Sequence, residues 1–256
     1  MSYFLEILKK RNNLLYSFGW LCLIGTFICA ILALTTHVQV LGINAFIKPM
    51  KFFVSITLFC WTMAWYTGYL PPTRNVAIYS WVVVVAMTIE LIIITAQATL
   101  GKLSHFNVSS PVDGMLFSLM GIAITVLTGW TAYIGYLFFR IHNNPLAASY
   151  LWAIRLGILL FVVFAFEGFI MATRLSHTVG GPDGGAGWPI TNWSTQFGDL
   201  RIAHFFGMHA LQLIPLFGYY IARRPAQVFL FTVLYIGAVT FLLLEALGGR
   251  PVLSGL

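Results

Sequence analysis

Seven long apolar runs divide the chain, separated by short polar segments that carry proline, glycine or charge. They place spans at about 14–36, 51–70, 75–100, 114–139, 149–174, 199–222 and 226–247. Each run is close to the ~20 residues that carry an α-helix across a bilayer. The expected fold is all-α: a polytopic membrane protein with seven transmembrane helices in one bundle, a single domain over 1–256.

The breaks between runs have local causes. Pro71-Pro72 cannot continue a helix and closes the second run. Residues 140–145, with His142 as a solvated side chain, form a turn, and Arg223-Arg224-Pro225 form another. The connection over 37–50 holds Gly42, Asn44 and Pro49. Residues 1–13 are expected to form a short interfacial helix, with Tyr3, Phe4, Leu5, Ile7 and Leu8 against lipid. The run behind Lys9, Lys10 and Arg11 exceeds the ~7–15 residues of a signal-peptide core and is expected to stay as the first span. The connection over 177–198 is long and glycine-rich, as lids and binding loops often are. Trp188 and Trp193 in it suit the membrane interface.

Composition agrees with this pattern. Charged residues make up 8% of the chain and hydrophobic ones 59%, whereas a soluble domain carries roughly a quarter charged. The net charge of +7 is spread over the ends of the runs, so it describes topology and not a nucleic-acid-binding face. With the N-terminus inside, the inner flanks hold Lys9, Lys10, Arg11, Arg74, Arg140, Arg155, Arg223 and Arg224. The outer flanks hold Lys48, Lys51, Lys102, Arg174, Arg201 and Arg250. This bias predicts a cytoplasmic N-terminus and an outer C-terminus in a plasma membrane of the bacterial inner-membrane kind. Cys22, Cys29 and Cys60 sit inside apolar runs and are expected to be buried structural thiols.

The candidate chemistry lies in the few polar residues inside the runs. Of seven acidic residues, Glu90, Glu167 and Glu245 fall within spans, where a carboxylate costs at least ~2.5 kcal/mol. Counting residues from the outer ends puts Glu90, Glu167 and His209 at one depth, about 15 Å in, with His204 and Glu245 shallower. At about 100° per residue, Arg201, His204, Met208, His209 and Gln212 fall on one side of the sixth span. His204 and His209 still differ by about 140°, so they either flank one site as a wide fork or serve two partners. The outer connections add His37, Lys48, Lys51, His105, Asp113, Arg174 and His177. This convergence predicts a polar site in the outer half, lined by spans three, five, six and seven.

Three kinds of chemistry fit these residues. Iron or zinc would be ligated by His204, His209, Glu90, Glu167 and Glu245. Haem b would be held by histidines from different helices, with His37, His105 and Gln212 as cofactor-binding residues. No Cys-x-x-Cys-His motif is present, which excludes covalent c-type attachment. In either case Glu90, Glu167 and Arg201 are the catalytic candidates. The leading expectation is a metal- or haem-dependent redox enzyme of the membrane, acting on a lipophilic molecule or a quinone. The alternatives are a proton-coupled transporter or ligand-binding protein without metal, whose carboxylates and histidines relay protons, and a structural subunit of a membrane complex.

Each residue also has a purely structural role open to it. Glu90, Glu167, Gln97 and Gln212 suit interhelical hydrogen bonds. Asp199 and Arg201 suit a helix cap. Glu245, Lys48, Lys51 and Arg155 suit snorkelling to an interface. The seventh span has neither the histidine pair of the seven-helix zinc hydrolases that act on lipid amides nor the retinal lysine of microbial rhodopsins.

Overall fold

A computed structural model describes residues 2–141 and 145–252; His142 lies outside the described residues. The described residues are 73% helical and form eight helices. These are α1 (Ser2–Arg11), α2 (Asn13–Thr35), α3 (Ile47–Thr67), α4 (Arg74–Thr99), α5 (Pro111–Arg140), α6 (Ala148–Arg174), α7 (Leu200–Tyr220) and α8 (Pro225–Leu247). Two small antiparallel pairs lie in the connections: β1 (Gln39–Val40) with β2 (Ile43–Asn44), and β3 (Thr178–Val179) with β4 (Gly198–Asp199).

All seven predicted runs are helices, and six of them, α2 and α4 to α8, are long and apolar enough to cross a membrane. The second run is the exception. In α3 the threonines, tryptophans and lysines dilute the apolar character, although the helix has 21 residues. It also starts at Ile47, earlier than the run predicts. Pro49 falls in its first turn, where a missing N–H breaks no helical hydrogen bond.

The first helix differs from its expected setting. Leu8 is buried, and Phe4 stacks on Trp65 of α3 with ring centroids 5.3 Å apart. The Arg11 guanidinium lies 3.8 Å over the same indole and donates to the Trp65 carbonyl at 2.8 Å. The apolar face of α1 is thus partly spent on the protein rather than laid wholly against lipid. Asn12 then caps α2 by accepting from the Leu15 N–H, while its amide donates to Ser80 Oγ at 2.8 Å.

The chain divides into two compact units, residues 1–134 and 135–256. In the first, α2 packs on α3 and α3 on α4. Ile93, Ile94 and Met120 form a buried cluster with Phe52 against it. Side-chain hydrogen bonds tie α5 to α4: Gln97 Nε2 to Asp113 Oδ1 at 2.8 Å, Tyr79 to Thr131 at 3.3 Å, and Asn75 Nδ2 to Tyr133 at 2.7 Å. Cys22, Cys29 and Cys60 are buried free thiols, as expected.

The second unit is built on α6 and α7, with α8 packed against both. Its core is Ala153, Leu160, Phe164, Ala203, Ala210, Ile214, Val228 and Val239. Small residues let the helix backbones approach, the usual device for packing helices in lipid. Gly207 marks the closest approach of α7 to a side chain of α6: a Cβ there would lie 2.1 Å from the Phe164 ring. Arg155, expected to snorkel, instead donates from Nε to the Phe138 carbonyl at 3.0 Å. It thereby satisfies an orphan carbonyl in the last turn of α5.

Candidate functional site

The second unit holds the closest pairing of candidate residues. Glu167 sits in the sixth turn of α6 and is buried. His204 sits in the second turn of α7. His204 Nδ1 lies 3.0 Å from Glu167 Oε2, and the carboxyl side chain is only 6% exposed. Its other oxygen, Oε1, is buried with no hydrogen-bond partner among the described residues. Gly168 makes room for the imidazole: a Cβ at this position would stand 3.0 Å from His204 Cε1.

The other polar residues of α7 go elsewhere. His209 Nδ1 is 3.2 Å from Gln212 Oε1 on the same helix, and its ring packs on Phe205 with centroids 4.3 Å apart. The two histidines therefore serve two different partners, as their 140° separation allows. Arg201 grips Asp199, with Nε to Oδ1 at 2.9 Å and Nη2 to Oδ2 at 2.6 Å. It also donates to the Asn192 carbonyl. Asp199 is fully buried. It caps α7 by accepting from the Arg201 N–H, and it accepts from the Ser194 N–H at 2.9 Å. Glu245 pairs with Arg250 at 2.6 Å beyond the end of α8.

The glycine-rich connection over 175–199 is folded, not loose. β3 and β4 close its base, and the Trp188 N–H donates to the Trp193 carbonyl at 2.9 Å in its outer part. Asp183 gathers the base: Ser176 Oγ donates to it at 2.8 Å and the Thr178 N–H at 2.9 Å. His177 Nδ1 lies 3.2 Å away. Burial alone would raise the Asp183 carboxyl. The Thr178 and Ser176 hydrogen bonds and the His177 charge outweigh that and hold it below its ordinary value. The segment reaches α7 through the Leu200 N–H, which donates to the His177 carbonyl at 3.0 Å.

In the first unit, Glu90 is buried in α4. His105 Nε2 stands 3.9 Å from Glu90 Oε2, beyond hydrogen-bond length. The His105 ring lies among Phe52, Phe106 and Phe117, and Ser104 Oγ is 3.2 Å from its Nδ1. Two turns along α4, Gln97 serves Asp113, which also accepts from Ser109, Ser110 and Lys102. This is the helix-bridging role that a buried glutamine suggests. His37 is exposed in the link between α2 and β1.

Among the described residues, no group of three or more His, Cys, Asp or Glu side chains is placed to hold a metal ion. The expected ligands meet in pairs, Glu167 with His204 and Glu90 near His105. Gly168 and Asp183 were not singled out from the sequence. The one available signal for Gly168 is a glycine directly beside an acid in a helix interior. No protein-family model, curated protein or solved structure matches the chain. By its helices the chain is a polytopic membrane protein.

Proposed function

We propose that this is a seven-span protein of the plasma membrane that exchanges protons through buried histidine–carboxylate couples, with Glu167–His204 as the working pair. Counting α3 as the seventh span is supported by its length, about 32 Å at 1.5 Å per residue. An odd count puts the termini on opposite sides, and the distribution of basic residues supports a cytoplasmic N-terminus and an outer C-terminus.

The carrying observation is the Glu167 carboxyl. One oxygen sits at proton-transfer distance from an imidazole nitrogen, and the other is buried with no partner among the described residues. An unmet buried acceptor costs about 1–3 kcal/mol and asks for a reason. A proton on the Nδ1–Oε2 axis can rest on either atom, and Oε1 is open to a second donor such as water or a protonated solute. Buried carboxylates and histidines relay protons in membrane proteins in this way. Iron or zinc chemistry lacks comparable support, because three or four donors are needed and the described residues bring together two. Haem across the second unit meets a similar difficulty, since His204 and His209 belong to one helix and not to facing ones.

The test is proton flux into liposomes containing the purified protein and a trapped pH indicator, under an imposed membrane potential. The account predicts a flux that falls at least tenfold in Glu167→Gln and in His204→Gln. Flux in Glu167→Gln equal to that of the native chain would overturn it.

A further inference from the structure

We propose that the groove between α4 and α5 at the α4 N-terminus binds one anionic phospholipid. The groove has a volume of about 430 Å³ and is lined by Asn75, Val126, Gly129, Trp130 and Tyr133. It lies wholly within the first unit. Two side chains bridge its end: Asn75 Nδ2 donates to the Tyr133 hydroxyl at 2.7 Å. The Trp130 and Tyr133 rings meet edge to face with centroids 5.7 Å apart. The lining is therefore graded. Val126 and Gly129 present an apolar floor, and an amide, a phenol and an indole stand at one end. Tryptophan and tyrosine of this kind mark the headgroup level of a bilayer. The polar end matches the glycerol and ester region of a lipid, and the floor matches an acyl chain.

Charge decides between lipids. Arg74 directly precedes Asn75 in the first turn of α4 and is exposed, with no ion-pair partner among the described residues. A guanidinium is well matched to a phosphate oxygen pair. Lys9 and Lys10 are exposed at the end of α1. The Asn12–Ser80 hydrogen bond ties that end to α4, six residues or about 9 Å along the helix from Arg74. Glu6 stands three and four residues before the two lysines on α1, so Arg74, with no acidic side chain in the first turn of α4, carries the preference for an anion. A cation at a membrane surface attracts anionic headgroups, and the groove gives one of them a fixed seat. Open space at Gly129, where an added Cβ would meet nothing within 4 Å, keeps the floor clear for a chain.

The experiment is native mass spectrometry of the full chain, exchanged in detergent against an equimolar mixture of phosphatidylglycerol and phosphatidylcholine. The native chain is expected to retain a single phosphatidylglycerol, at least fivefold over phosphatidylcholine. Arg74→Gln should bring that preference close to parity while one lipid is still retained. Gly129→Leu, whose Cβ meets nothing within 4 Å and whose longer side chain fills the floor, should lose both adducts. Gly237→Leu in α8, a position equally open, should keep the native pattern. Equal retention of the two lipids by the native chain would overturn the proposal. So would a Gly129→Leu chain that retains phosphatidylglycerol as the native chain does.

Discussion

Glu167 and His204 meet at 3.0 Å between α6 and α7, and the glycine beside the acid sets the space for the imidazole. The pairing is a product of helix packing. Phe164, one turn before Glu167, fills the space left by Gly207, one turn after His204. Whatever changes that packing changes the couple. The first prediction follows from Gly168. Its substitution by valine puts a Cβ 3.0 Å from His204 Cε1, with two methyl groups beyond it, and crowds the ring away from the carboxylate. The His204 ring resonances should shift in Gly168→Val, while thermal unfolding in detergent stays cooperative. Unmoved resonances would show that the ring has more room than the geometry allows.

Gly207 should respond differently. A Cβ there falls 2.1 Å from the Phe164 ring inside the core of the second unit, so even alanine overpacks. Overpacked cores lose about 1–3 kcal/mol. Gly207→Ala should lower the melting temperature measurably, and Phe164→Leu in the same chain should recover part of the loss by making room.

The Arg201–Asp199 clamp predicts a local effect. Asp199 is fully buried, while the Arg201 side chain is 25% exposed. Removing the cation leaves a buried carboxylate with only its backbone N–H donors, a loss of about 1–3 kcal/mol. The cost falls on the 175–199 connection, because Arg201 also holds the Asn192 carbonyl. Arg201→Gln should open this segment to protease cleavage while α6 to α8 stay protected. Asp199→Asn keeps a cap acceptor and should be milder.

Asp183 makes the base of the same connection sensitive to pH. Its carboxyl is held below the ordinary value in the folded chain. The stabilisation it lends is therefore fully present above the unfolded carboxylate range, near pH 4, and is lost as pH falls through the lowered folded value. Amide exchange at Thr178 should stay slow from neutral pH down to about 4 and speed up below it, after correction for intrinsic rates. In Asp183→Ala the Thr178 amide should already exchange fast at neutral pH.

The helices were legible from the apolar runs because a bilayer demands both length and hydropathy. The exception, α3, was legible as a run and not as a span of ordinary hydropathy. The connections were not. Leu41 takes φ 51° and Gly42 φ 78°, a turn that joins β1 to β2, and a leucine carries no signal for a left-handed conformation. The site was legible residue by residue but not in its pairings. A helical wheel assigns a side chain a direction on its own helix and says nothing about the helix it meets. His204 finds Glu167, but His209, expected at the same site, turns to Gln212 on its own helix. Equal depth along separate spans is a necessary condition for one site and not a sufficient one. Arg201 and Glu245 illustrate a second limit. Each is held by a charge of opposite sign within five residues, and the local partner won over the distant site.

The proposed role requires Glu167 and His204 to hold and release a proton. pH-difference infrared spectroscopy of the chain in lipid measures this at the carboxyl itself. The account predicts a carboxylic-acid C=O band that grows and fades with pH in the native chain. The Glu167 part of that band, isolated from Asp183 and the other carboxyls by subtracting the Glu167→Gln spectrum, should move in His204→Gln. Identical difference spectra for the native chain and Glu167→Gln would contradict it.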